Sequence, residues 1–122
     1  MAITYLEDNV IEFEMVFVDP DNNDAPVDPT VVTAQFWFSP DTVTAYTAYG
    51  SVITYAGAII SAVNVISRML NADGVYCYRV RFDTTGLPIP VGVQYAGALC
   101  KWKSTGSGQA ADNDYALIET NN

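Results

Sequence analysis

The residues of this chain that could take part in catalysis are few, and histidine is not among them. Histidine is the side chain most often used as a general base near neutral pH, so its absence excludes the common Ser-His and Cys-His nucleophile arrangements. Glu12 and Glu14 could still form a carboxylate pair, because residues two apart lie on one face of a strand. They alternate with apolar residues, however, and this pattern is typical of a solvated strand face. We therefore predict that the chain is not an enzyme.

Oxygen-bearing side chains also occur at alternate positions of the segment 19–24, as they do in calcium-binding loops. An EF-hand loop requires a glycine at its sixth position and a closing glutamate at its twelfth, and this chain has Asp24 and Thr30 there. We expect an ordinary acidic loop between strands, with a structural calcium ion as the alternative. The sequence predicts neither a metal site nor a cofactor.

The two cysteines, Cys77 and Cys100, are too few for a disulfide framework. They also lack the CxxC spacing and the histidine partners that mark many metal sites. In a protein made in a reducing compartment we expect buried free thiols, with a disulfide between the two as the alternative.

Charge and composition exclude further classes of partner. Five Lys and Arg against fourteen Asp and Glu give a formal net charge of -9, so the surface should repel a phosphate backbone and bind no nucleic acid. No apolar run reaches the length of a membrane span, and the longest, at 56–65, is interrupted by Ser61 and Asn64. The first eight residues carry acids where a signal peptide would carry Lys or Arg, so we expect synthesis in a cytoplasm.

The elements that must position these residues are predicted to be strands. Short β-branched and aromatic runs, separated by Pro, Gly, Asn and Asp clusters at intervals of roughly ten residues, are typical of a β-sandwich or barrel. The clearest alternating runs are 10–18, 31–39 and 75–82, and the count is about seven strands. The chain is therefore predicted to be one all-β domain, residues 1–122, in which residues 1–9 are a candidate N-terminal arm.

Alternation within the two best strands predicts part of the hydrophobic core and places Trp37 on the opposite, polar-looking face. The predicted core residues are Phe36, Phe38, Tyr76, Tyr78 and Val80. The segment 51–70 is harder to assign, because its apolar residues fit helical spacing as well as alternation. We favour a strand there, with a short helix or an irregular crossover as the alternatives.

A central segment, residues 43–65, carries no charged side chain. Charges on an exposed strand edge discourage pairing with another chain, and exposed apolar patches usually mark partner sites. We therefore predict a homo-oligomer or a repeated lattice contact made through this segment. The candidate interface residues are Thr47, Tyr49, Ile53 and Tyr55.

Five pieces of the sequence, taken in order, resemble a group of small structural proteins from tailed bacteriophages. These pieces are residues 28–32, 39–41, 46–50, 72–76 and 101–112. The last one contains a Trp followed by Thr-Gly-x-x-Gln-Ala-Ala, which is its most distinctive part. The similarity covers most of the chain, from about residue 28 to residue 119, and this sequence departs from the pattern around 55–65.

The resemblance implies an immunoglobulin-like β-sandwich and a non-enzymatic virion protein, without catalytic residues. A head decoration or accessory protein is the leading expectation, and a neck or tail component is the alternative. The partners would be other virion proteins such as a major capsid protein, and the protein would reach the virion after synthesis in the bacterial host cytoplasm. A secreted or surface adhesion module is the alternative of another class.

Overall fold

The computed structural model describes residues 3–60, 62–106, 109–110 and 114–120. Apart from one 3-10 turn (Pro20–Asn22), every regular element in these ranges is a β-strand, which confirms the all-β prediction. No helix in the same ranges could cross a membrane. The strands are β1 (Ile3–Leu6), β2 (Val10–Met15), β3 (Phe17–Asp19), β4 (Ala25–Pro26), β5 (Val31–Ser39), β6 (Thr47–Ala48), β7 (Ile53–Thr54), β8 (Ile66–Leu70), β9 (Tyr76–Asp83), β10 (Tyr95–Thr105), β11 (Gln109–Ala110) and β12 (Asp114–Glu119).

These strands form three sheets. The large sheet has the order β1-β12-β10-β5-β6, and β7 also pairs with β5. The small sheet has the order β2-β9-β8, and the third sheet has the order β11-β3-β4. All pairings between these strands are antiparallel except that of β1 with β12, which is parallel.

The alternation read from the sequence corresponds to the two faces of β5 and β2. In β5 the buried apolar residues are Val32, Ala34, Phe36 and Phe38, and Trp37 lies on the opposite face, as predicted. In β2 the buried residues are Ile11, Phe13 and Met15. Each strand therefore gives one apolar face to the interior, which is the period-2 pattern of a half-buried strand.

The inner faces of the large and small sheets contribute to one hydrophobic core. Phe36 of β5 packs on Phe82 of β9 with ring centroids 4.9 Å apart, and Phe13 meets the same ring edge-on at 6.0 Å. The third sheet joins this core through Phe17, whose ring centroid lies 6.4 Å from that of Trp102. Four of the five predicted core residues, Phe36, Phe38, Tyr78 and Val80, are buried.

The prediction that Tyr76 is a core residue is wrong, because its side chain is 37% exposed. Tyr76 is the first residue of β9 and pairs with Leu70 at the end of β8, beyond the margin of the core. Its ring is covered instead by the guanidinium of Arg68, 4.2 Å from the ring centroid. Alternation gives the face of a strand correctly but does not show where the core beneath it ends.

The segment 51–70 is mostly an irregular crossover. It contains the two-residue strand β7 and ends in β8, and the described residues between them form only isolated bridges such as Ala58 to Ser67 and Val63 to Arg81. Gly57 and Asn64 adopt positive φ angles of 92° and 58°, which interrupt an extended strand. The favoured strand prediction is therefore correct only for β7 and β8. The described residues between them follow the alternative, an irregular crossover.

The N-terminal residues and the cysteines also have defined places in the fold. Strand β1 falls within the candidate arm, residues 1–9, and pairs in parallel with β12 from Ile3 opposite Ala116 to Leu6 opposite Glu119. Cys77 belongs to β9 in the small sheet and Cys100 to β10 in the large sheet. Both are buried and free, which confirms the prediction of free thiols.

We predict that Phe36→Ala lowers the free energy of unfolding by about 3–5 kcal/mol, because it leaves a cavity against Phe82 in the shared core. Val43→Ala is the control, since Val43 is 88% exposed and its truncation should change stability by less than about 0.5 kcal/mol. Urea unfolding followed by fluorescence measures both values. Equal stabilities for the two variants would contradict the placement of Phe36.

Candidate functional site

The central segment, residues 43–65, crosses from the edge of the large sheet to the edge of the small sheet. The Tyr49 amide donates to the Phe36 carbonyl at 2.9 Å, and the Tyr55 amide donates to the Val32 carbonyl, also at 2.9 Å. Further along, the Ala58 carbonyl accepts from the Arg68 amide at 3.0 Å, at the outer edge of β8. The segment therefore covers one edge of each sheet and uses part of its own backbone to do so.

The four predicted interface residues differ in their surroundings, and the structure does not bring them together as one exposed surface. Thr47 is exposed in β6. Tyr49 is 43% exposed, and its ring packs edge-on against both Phe36 and Phe38, with centroids 6.1 Å apart in each case. Ile53 and Tyr55 are partly buried and pack against the core. Three of the four therefore anchor the central segment as well as facing outward in part.

Other apolar side chains of the central segment are also exposed. They are Val43 (88%), Val52 (54%), Ile59 (73%), Ile60 (77%) and Val63 (43%). None of them was among the predicted interface residues. The pair Ile59-Ile60 could have been found, because two consecutive β-branched residues cannot both face the core from an extended strand.

The Tyr55 ring contacts a polar network formed by Asp28, Arg68 and Tyr78. The Arg68 Nη1 lies 2.6 Å from Asp28 Oδ2, and the Tyr78 hydroxyl donates to Asp28 Oδ1. The Arg68 guanidinium lies 5.6 Å from the centroid of the Tyr55 ring, which also meets the Tyr78 ring edge-on at 5.4 Å. Burial, together with the hydrogen bond to Asp28, raises the pKa of Tyr78 to about 12.

The carboxylate pair considered in the sequence is held in ion pairs. Arg79 Nε lies 3.1 Å from Glu12 Oε1, and Arg79 Nη2 lies 2.6 Å from Glu14 Oε1. Arg81 Nε donates to Glu12 Oε2 at 2.8 Å. These contacts run across the β2–β9 pair, where Glu12 is opposite Arg81 and Glu14 opposite Arg79. Arginine side chains of β9 therefore hold both carboxylates of the pair in place.

A cavity of about 370 Å³ lies between β2 and β12. At its walls two side chains bond the open edge of β2: the Tyr5 hydroxyl accepts from the Glu12 amide at 3.4 Å, and Asp114 Oδ2 accepts from the Glu14 amide at 3.1 Å. Burial raises the pKa of Asp114, and the nearby charge of Glu14 adds to this. Asp114 therefore caps part of the open edge of β2.

The two thiols are buried, and the acidic loop is held by a local turn contact. Burial raises the pKa of both Cys77 and Cys100, and a thiol kept protonated is a poor nucleophile. In the loop, Asp19 Oδ1 accepts from the Asp21 amide at 3.0 Å, which is a turn contact. The residues that the structure describes include no group of three or more His, Cys, Asp or Glu placed to hold a metal ion.

Comparison with known proteins adds no further constraint. The chain matches no protein-family model, no curated protein and no solved structure. What the molecule does must therefore be inferred from its own residues.

We predict that Tyr78 makes stability depend on alkaline pH. Because its pKa is raised from 10.0 to about 12 by folding, its contribution is complete below pH 10 and is lost as the pH rises toward 12. The loss is roughly 2–3 kcal/mol at about 1.4 kcal/mol per pKa unit. Urea unfolding at several pH values should show a smaller decline for Tyr78→Phe than for the wild type. Tyr95→Phe is the control, and an identical decline in all three proteins would contradict the prediction.

We also predict that Asp114→Asn raises the free energy of unfolding at pH 7. An amide oxygen can still accept from the Glu14 amide, while the penalty of holding a charge in a partly buried site is removed. The raised pKa of Asp114 means that this gain should vanish in acid, below the ordinary carboxyl pKa of 3.8. Asp73→Asn, in an exposed turn, is the matched control. A gain that is independent of pH would refute this explanation.

Proposed function

We propose that this chain is a non-enzymatic structural protein of a tailed-bacteriophage virion, in which it binds the head as a decoration or accessory protein. The observation that carries the proposal is the central segment, which has no charge and exposes five large aliphatic side chains and Tyr49. The rest of the chain is strongly acidic, with a net charge of -9. An exposed apolar surface on such a chain favours a partner that covers it.

The proposed fold is an immunoglobulin-like β-sandwich, formed by the large and small sheets. Its support comes from the shared core, in which Phe36 of one sheet packs on Phe82 of the other. Predominantly antiparallel pairing within both sheets also favours this architecture. A sandwich of this kind leaves strand edges and connecting loops at its periphery, which are the parts that structural proteins use for assembly.

The contact that we propose is made by the exposed part of the central segment, Ile59 and Ile60 above all. Apolar burial supplies the attraction at short range. The net charge of -9 supplies a long-range repulsion between free copies, so that assembly is favoured where a capsid provides the complementary surface. The partner in this proposal is therefore another virion protein, such as the major capsid protein, with further copies of this chain at neighbouring positions.

The carboxylates that could act in catalysis form ion pairs or hydrogen bonds within the chain, which supports a role without catalysis. Glu12 and Glu14 are ion-paired with arginines, and Asp114 bonds the Glu14 amide. Both thiols are buried. A catalytic site would need a nucleophile, a base and an electrophilic group that converge on one position.

Quantitative mass spectrometry of purified particles tests the proposed role. A decoration protein should be present in amounts equimolar with the major capsid protein or with its symmetry-related binding sites. A handful of copies per particle would instead indicate the neck or tail. Absence from purified particles would refute the virion proposal altogether.

We predict that Ile59→Lys and Ile60→Lys each fold normally and reduce incorporation into particles by at least about tenfold, since burying an unpaired ammonium at a contact costs more than about 1.4 kcal/mol. The matched control is Val91→Lys, which adds the same charge at a residue that is 95% exposed and lies outside the central segment. Thr47→Lys extends the scan to the exposed candidate in β6. Normal incorporation of Ile59→Lys, Ile60→Lys and Thr47→Lys would exclude the central segment as the interface.

A further inference from the structure

The five cationic side chains of this protein divide into two groups. Arg68, Arg79 and Arg81 each form an ion pair with a carboxylate of the same chain. Lys101 and Lys103 form none with any residue in the described part of the chain. In a protein with fourteen acidic residues, two neighbouring cations left without an acidic partner call for an explanation.

Both lysines lie on the outer face of the large sheet. Lys101 is opposite Gln35 and Lys103 is opposite Thr33 in the pairing of β10 with β5. Together with Ala34, Trp37 and Val52, these residues line a shallow cavity of about 170 Å³, which we call the lysine groove. No acidic side chain lines this groove.

The neighbouring part of the same face is already covered. Tyr46 lies over Gly97, and a Cβ atom at that glycine would be 2.1 Å from the Tyr46 hydroxyl oxygen. The Tyr46 ring also meets the Tyr115 ring edge-on at 5.9 Å. The chain thus folds its own aromatic residue over one part of the outer face and leaves the lysine groove open beside it.

The lysine groove offers donors that point to an anionic ligand. The Lys101 ammonium lies 3.6 Å from the centroid of the Trp37 ring, which holds it against the indole. The indole Nε1 of Trp37 is buried and, like that of the core residue Trp102, has no hydrogen-bond acceptor among the described residues. Lys103 adds a second ammonium group on the same face. Two ammonium groups suit a carboxylate.

We propose that the lysine groove binds the acidic loop, residues 19–24, of a second copy of this chain. That loop carries Asp19, Asp21 and Asp24, none of which is ion-paired within the described residues. Its shape is fixed by the 3-10 turn and by Asn23 and Asp24, both with φ of 55°. It therefore presents the exposed carboxylates of Asp21 and Asp24 on a preorganised backbone, which lowers the entropic cost of binding.

Charge complementarity is the reason for choosing the chain's own loop as the occupant. Two copies carry the same net charge of -9, so they can approach closely only where opposite charges meet locally. The lysine groove is the cationic surface that remains after the arginines are neutralised by carboxylates of the same chain. The acidic loop is chosen as its partner because it carries three carboxylates within six residues. The contact is head-to-tail, because one surface of a copy receives a different surface of the next. The virion contact centres instead on Ile59 and Ile60, which do not line the lysine groove; of the central segment, Val52 does.

Sedimentation equilibrium of the full chain at millimolar concentration tests the proposal with a charge swap. The salt concentration is about 0.15 M, at which the Debye length of about 8 Å screens the long-range repulsion between copies more than a close ion pair. The wild type should self-associate, whereas Lys101→Glu with Lys103→Glu, and separately Asp21→Lys with Asp24→Lys, should each raise the dissociation constant at least about tenfold. An equimolar mixture of the two variants should associate again, because each supplies the charge that the other has lost. The indole N–H resonance of Trp37 should shift on association, and that of buried Trp102 should not.

Matched controls separate this contact from folding and from net charge. Lys103→Gln and Val91→Glu each make the chain more negative by one charge, and only the first should weaken association. The Trp102 resonance reports whether a variant keeps the native core. If the double variant of Lys101 and Lys103 loses that resonance, the single variant Lys103→Gln is used in its place. A monomeric wild type, or association unaffected by the groove variants, would overturn the proposal. Loss of association in the groove variants but not in the loop variants would show another acidic occupant and overturn the choice of the loop.

Discussion

The contact of Phe36 with Phe82 joins the two main sheets, and the rest of the structure depends on that junction. A sheet with one apolar face must bury it against another element, and here each sheet provides the cover for the other. Once the two faces meet, the free edge of β2 lies within reach of Tyr5 and Asp114 from the large sheet. The central segment must then span the gap between β5 and β8, which explains why it is irregular and only partly paired.

Side chains, rather than additional strands, satisfy the exposed backbone at one edge. The amides of Glu12 and Glu14 face away from β9, and a hydroxyl and a carboxylate accept from them. An unpaired strand edge is a template for unwanted association, and capping by side chains protects this edge without a further strand. The central segment differs from this edge. Part of its backbone is hydrogen-bonded to β5 and β8, while several of its apolar side chains are exposed to solvent.

The sequence was sufficient for the all-β class and for four of the five predicted core residues, because long strands repeat the period-2 pattern several times. Phe36, Phe38, Tyr78 and Val80 follow from it, whereas Tyr76 fails at the strand end, where the core beneath stops. Two-residue strands such as β6 and β7 contain too few residues to show any period. About seven strands were expected for this reason, and the described residues contain twelve, several of them only two or three residues long.

The candidate sites were less accessible to sequence reasoning, for a different physical reason. The lysine groove exists because β10 pairs with β5 in one register, which sets Lys101 opposite Gln35 and Lys103 opposite Thr33 across some seventy residues of chain. The arginine ion pairs depend in the same way on the pairing of β9 with β2. The candidate interface residues Tyr49 and Tyr55 were chosen for composition, and composition does not show which side of a crossing segment packs inward.

The parallel pairing of β1 with β12 has a consequence for the order of folding. Strand β12 lies between β1 and β10, so neither of those strands has its partner on that side until β12 is in place. During synthesis β12 leaves the ribosome after every other strand described here, while β1 leaves first. The chain must therefore close a loop that spans almost its whole length, which is a slow, entropically costly step for a β protein. Until that step is complete, the nascent large sheet has an open edge at β10, which is an unpaired template for association with other chains.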